Sequence, residues 1–156
     1  MANWFVGLWM TLIVCFIVWS LWADWKRNRM MPILMSSLGL KSWGSRLPPE
    51  LSLTGTPMAH ASATWNVMEG ERNGIPFVVF DCRMGAGKSS WRRTVIAARS
   101  GRDVFAAVPS ESSYTVDRCG DWMIFYAPKR GFIVGRSLMP ISELEAPFVA
   151  RIEIGF

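Results

Sequence analysis

At 156 residues the chain has room for one membrane helix and one compact domain of roughly 90 to 100 residues, and two soluble domains do not fit. Apolar side chains make up 51% of it and charged ones 19%, below the quarter usual for globular chains, and six of the nine tryptophans lie before residue 45. The net charge of +5 is equally local: Lys26, Arg27, Arg29, Lys41 and Arg46 have no acidic residue among them, whereas residues 47–156 carry 12 basic and 11 acidic side chains, a pattern that favours a membrane surface over nucleic acid.

Residues 1–25 are predicted to be a transmembrane helix. Trp4 to Ala23 is twenty residues without a charge, enough for about 30 Å of hydrocarbon. Trp4 and Trp9 mark one end and Trp19, Trp22 and Trp25 the other, at the depths that amphipathic rings prefer. MANW lacks a basic n-region and ADWKRNR is no cleavage site, which argues against a removable signal peptide. Lys26, Arg27 and Arg29 follow the helix directly and complete the anchor. By the positive-inside rule they put the N-terminus outside and the C-terminal domain in the cytoplasm. Gly7, Thr11 and Cys15 recur at four-residue spacing as a face of small side chains, either a packing surface for another helix or an incidental run.

Residues 26–46 form the next predicted unit, a basic juxtamembrane helix with Pro32 near its start. Its apolar Ile33, Leu34, Leu38 and Trp43 rest either on the headgroups or on the domain. Residues 47–63, rich in Pro, Ser, Thr and Ala, read as a linker. Residues 64–156 read as an antiparallel β-rich domain: strands at ATWNVMEGER and IPFVVFDCR joined by Asn73-Gly74, then WRRTVIAAR, DVFAAVP, SYTVDRC and DWMIFYAP. A short C-terminal helix is expected within SLMPISELEAPFVARIEI, where Glu143 and Glu145 suit a first turn. The fold class is therefore α+β, a single transmembrane helix followed by a small antiparallel sheet with a short helix at its end.

Gly85-Ala86-Gly87-Lys88-Ser89-Ser90 is the one string that looks like phosphate chemistry. The Walker pattern requires a further glycine where Cys82 stands, and a helix where the β-rich WRRTVIAAR follows, so a hairpin turn is the expected structure. Arg83, Lys88, Arg92, Arg93 and Arg99 surround that turn as a candidate basic interaction patch. The alternative is a solvated face whose arginines pair with Asp81, Glu69 and Glu71. His60, the sole histidine, lies in the linker, and Cys82 on a strand reads as a small buried hydrophobe, so neither a triad nor a metal site is expected. No catalytic, cofactor-binding or metal-binding constellation emerges.

The strings GER-NG-IPFVVFDCR-MGAGK-SSWRRTVIAA and DWMIFYAPKR with LMPISELEA resemble an uncharacterised family of bacterial membrane-anchored proteins. Its members combine a hydrophobic N-terminal helix with W/Y-N-V-x-x-G-E, F-D-Y/C-R, Gly/Lys-turn and R-x-T-V motifs. The likeness covers about residues 30 to 150 and implies no activity. The function expected is a non-enzymatic, membrane-anchored accessory or interaction subunit, partnered by the membrane and by other membrane-protein subunits rather than by nucleic acid or a small-molecule substrate. The alternatives are an anionic-lipid-binding surface module, or a nucleotide-binding enzyme using Gly85 to Ser90.

Overall fold

One helix, α1 (Asn3–Ser37), carries the apolar segment and continues straight through the basic cluster. The computed structural model describes residues 3–72, 74–87, 90–99, 114–126 and 138. Every side chain from Trp4 to Ala23 is exposed, and Trp4–Leu34 is long and apolar enough to cross a membrane. From Asp24 onward one face changes role: Asp24, Arg27, Met31 and Leu34, at spacings of three and four, turn toward a β-sheet, and Met31 and Leu34 are buried on it.

The separate helix expected over 26–46 is therefore corrected. Residues up to Ser37 belong to α1, and Lys41–Gly44 is the first strand, β1. Pro32 lies inside α1 and removes one helical hydrogen bond, a cost of about 3 kcal/mol. Burial of Met31 and Leu34 on either side offsets it by roughly 1.5–3 kcal/mol each. The helix ends where the chain has a residue able to turn left-handed: Gly39 sits at φ 65°, and the Leu38 amide donates to the Leu34 carbonyl at 3.1 Å.

Five further strands follow: β2 (Ala61–Arg72), β3 (Ile75–Met84), β4 (Trp91–Arg99), β5 (Thr115–Cys119) and β6 (Trp122–Tyr126). They form one antiparallel sheet in the order β1-β2-β3-β4-β6-β5. The α+β class, the Asn73-Gly74 hairpin, the turn after Met84 and the strand at Trp91–Arg99 agree with the sequence reading. The strand expected at DVFAAVP and the C-terminal helix lie outside the described residues.

Alternation along β3 and β4 splits the core in two. Phe77, Val79, Ile96, Ala98 and Met68 pack against Met31 and Leu34 on the helix face. Val78, Phe80, Cys82, Met84, Val95, Ala97 and Ile124 form the opposite face, together with Leu51, Leu53 and Met58. The supposed linker 47–63 is thus a cover rather than a tether. Its Leu51, Leu53 and Met58 are buried, the Trp122 indole donates to the Glu50 carbonyl at 3.0 Å, and Pro57–His60 forms a 3-10 turn leading into β2. Its small and polar composition concealed the spaced Leu51, Leu53 and Met58 that seal the sheet.

Candidate functional site at the helix–sheet joint

The helix face of the sheet is apolar at one end and polar at the other. Phe77 and Val79 are followed on the same side of β3 by Asp81 and Arg83, and Ala98 and Ile96 of β4 by Thr94 and Arg92; Asp81 registers with Thr94 and Arg83 with Arg92. A carboxylate at this depth requires partners, because an unpaired buried charge costs several kcal/mol. Asp81 is fully buried and receives a fork from Arg27, Nε to Oδ2 at 2.9 Å and Nη2 to Oδ1 at 2.8 Å. Thr94 Oγ1 donates to Oδ1 at 2.7 Å and Asn66 Nδ2 to Oδ2 at 3.0 Å.

The contribution of Asn66 depends on a backbone irregularity. Pairing of β2 with β3 slips between Trp65 and Met68, and Asn66 adopts φ 52°. Such a bulge re-aims a side chain, here toward the carboxylate, and asparagine tolerates the left-handed region better than most residues. One helical turn nearer the apolar segment, Arg92 Nη1 meets Asp24 Oδ2 at 2.6 Å. The chain thereby fastens α1 to the sheet by two ion pairs, one buried and one about a third exposed.

Between these pairs lies a cleft of about 200 Å³ lined by Asp24, Arg27, Asn28, Trp65, Arg83, Arg92 and Leu138. Its level relative to the apolar stretch follows from the contacts, which step along helix and strands together: Asp24 with Arg92, Arg27 with Asp81 and Thr94, then Met31 and Leu34 with the apolar cluster.

The residues singled out from sequence are redistributed. Trp4, Trp9, Trp19, Trp22 and Trp25 are exposed on α1, as are Gly7, Thr11 and Cys15, with Thr11 donating its hydroxyl to the Gly7 carbonyl at 2.9 Å. Lys26 lies 5.2 Å over the Trp22 ring and Arg29 4.4 Å over that of Trp25. Arg27, grouped with them as a membrane anchor, is turned inward, because it is the residue of the three that faces Asp81.

The expected basic patch is not one surface. Arg92 faces α1, Arg93 faces the opposite side and is only 5% exposed, and Arg99, paired with Asp121 at 3.6 Å, is seven residues and about 23 Å along β4 from Arg92. Lys88 lies outside the described residues. Nor do the arginines pair as expected: Asp81 takes Arg27, and Glu69 accepts from the Trp43 indole at 2.6 Å. Arg83 is exposed and forms no ion pair among the described residues.

On the opposite face Arg93 is stacked between aromatic rings, 4.1 Å from Trp91 and 4.3 Å from Tyr126, and its Nε has no hydrogen-bond partner among the described residues. Burial lowers its pKa, opposed by Tyr126, Cys82 and Asp117. Burial likewise pushes the Cys82 thiol up to about 12, against the pull of Arg93, so the sulfur stays protonated at neutral pH. His60 is exposed at the end of its 3-10 turn and makes no hydrogen bond to the enclosed Cys82. Gly85 to Ser90 joins two antiparallel strands, and the segment after it is β4 rather than a helix. Among the described residues no group of three or more His, Cys, Asp or Glu side chains is placed to hold a metal.

No protein-family profile, curated protein or solved structure matches the chain.

The joint itself was the part missed from sequence. Its one signal is Asp81 in IPFVVFDC, a carboxylate in phase with Phe77 and Val79 on a buried face. Nothing local identifies a partner 54 residues away on α1.

Proposed function

We propose that this chain is a non-enzymatic, membrane-anchored interaction subunit: α1 crosses the bacterial inner membrane with its N-terminus outside, and the sheet is held at the cytoplasmic surface for other membrane-protein subunits. The observation that carries the reading is the joint. A helix that only tethers needs no buried contact with its cargo, whereas Arg27, Met31 and Leu34 weld α1 to the sheet, so a partner that seats the span also orients the domain. Among the described residues the side chains of the span are exposed, which leaves the Gly7, Thr11 and Cys15 face to lipid or to a neighbouring helix.

Native co-purification tests this. The tagged protein, extracted in mild detergent from its own membranes, is expected to elute in a defined complex of higher mass, and Asp81→Ala is expected to weaken that complex while leaving the protein in the membrane. A lone monomer or homodimer would overturn the reading.

A further inference from the structure

We infer that the cleft between α1 and the adjacent ends of β2, β3 and β4 is a binding site for the phosphate of an anionic lipid headgroup; this rests on the reading that α1 spans the membrane. Position is the first argument. Asp24 and Arg27 are the first and third charged residues after the uncharged stretch that ends at Ala23, so the cleft lies where hydrocarbon gives way to headgroups. A free anion would have to reach it through the polar layer of the bilayer, whereas a lipid phosphate already resides at that depth.

Charge is the second argument. Arg27 is neutralised by Asp81, and Arg92 is engaged with Asp24 through one nitrogen, Nη1. Arg83, in register with Arg92 on the neighbouring strand, brings a further cation with no carboxylate opposite it among the described residues. Among the described residues, the cleft and its buried carboxylate therefore carry three guanidinium groups against Asp24 and Asp81, an excess of one positive charge. Asn28 accepts from Asn66 through its carbonyl oxygen at 3.4 Å, which leaves its own amide nitrogen as a donor. Planar guanidinium groups match phosphate oxygens in pairs, and a charge-assisted bond of that kind is about twice as strong as a neutral one.

Size and surroundings are the third. A volume near 200 Å³ corresponds to roughly six or seven waters, room for a phosphate and its ester oxygens. Trp65 forms one wall, with the Arg92 guanidinium 5.9 Å from its ring centre, and an indole is a side chain suited to the interface between acyl chain and headgroup.

The test uses the full chain in lipid nanodiscs of phosphatidylcholine with phosphatidylglycerol as a minor component, released in a mass spectrometer so that retained lipids are counted. The expected result is one phosphatidylglycerol retained with about tenfold preference over its share of the disc, a preference that Arg83→Gln reduces to about twofold or less. Arg83 is exposed, so this variant keeps the fold; Arg99→Gln, far along β4, is expected to leave the preference unchanged. Equal retention of the two lipids, or a preference untouched by Arg83→Gln, overturns the proposal. Loss of the preference on addition of millimolar inorganic phosphate at constant ionic strength would overturn the lipid assignment in favour of a free-phosphate site. Extraction of the protein from its native membranes by alkaline carbonate would instead overturn the spanning reading on which the proposal rests.

Discussion

Each face of the sheet buries an arginine, and the two are stabilised differently. Arg27 arrives from α1 and meets a buried carboxylate that also takes Thr94 and Asn66; Arg93 belongs to the sheet and is held between two aromatic rings. The first arrangement is directional and spans 54 residues of sequence, so it fixes the register between two elements. The second lies within the sheet, with Trp91 two residues away on the same strand and Tyr126 on β6, the strand that β4 already pairs with, so it joins no separate element. A buried ion pair is expensive to half-remove because the remaining charge is stranded, while a cation between rings leaves only a packing gap when it is replaced.

The largest expected effect comes from Asp81→Ala, which strands Arg27 and should destabilise the protein by about 3–5 kcal/mol, read as a fall in urea midpoint followed by tryptophan fluorescence. Arg93→Met on the other face should cost less than about 1.5 kcal/mol, since it leaves no described carboxylate unpaired. Equal losses from the two would erase the distinction between the faces.

Alkaline titration separates them next. On the Arg93 face the folded-state pKa values of Cys82 and Tyr126 are both raised to about 12, chiefly by burial, from 9.0 and 10.0. The unfolded chain therefore ionises first. The stability these groups contribute is fully present below pH 9 and declines as pH rises through the window from 9 to 12, by at most about 4 kcal/mol for the thiol. Cys82→Ala should flatten the early part of that decline and Tyr126→Phe the part above pH 10; a profile unchanged in both variants would contradict it.

A smaller effect tests the apolar end of the helix face. A Cβ added at Gly70 meets the Leu40 side chain and lies 3.0 Å from Phe77 Cζ, so Gly70→Ala should cost about 1–3 kcal/mol by overpacking. Asn66→Gly, which keeps the left-handed backbone and removes the side-chain bonds to Asp81 and Asn28, should cost about 1 kcal/mol in the same assay, and Asn66→Ala more. If the alanine and glycine variants were equal, backbone strain at the bulge would be negligible.

How much was legible in the sequence follows the same division. Period-two alternation and Asn73-Gly74 disclosed the sheet because each is a local signal, and twenty uncharged residues disclosed the apolar helix. What escaped was non-local. Lys26, Arg27 and Arg29 look alike in a row, and only the turn of the helix separates the one that meets Asp81 from the two that lie over Trp22 and Trp25. Pro32 and the Ser/Thr-rich run after it suggested breaks, yet the burial of Met31, Leu34, Leu51 and Leu53 overrides those local preferences. The candidate site was visible as single residues, Arg83 and Arg92 beside the hairpin and Arg27 beside the apolar helix; their meeting depends on the register of helix against sheet.

A double-mutant cycle on Arg27→Met and Asp81→Leu, with the full chain in nanodiscs and unfolding followed by denaturant, tests the joint most directly. Each single change is expected to cost about 3–5 kcal/mol, and the double variant to recover most of that loss, because neither charge is then left buried alone. Strictly additive losses would contradict the account, since they would mean that α1 and the sheet are not joined through this pair.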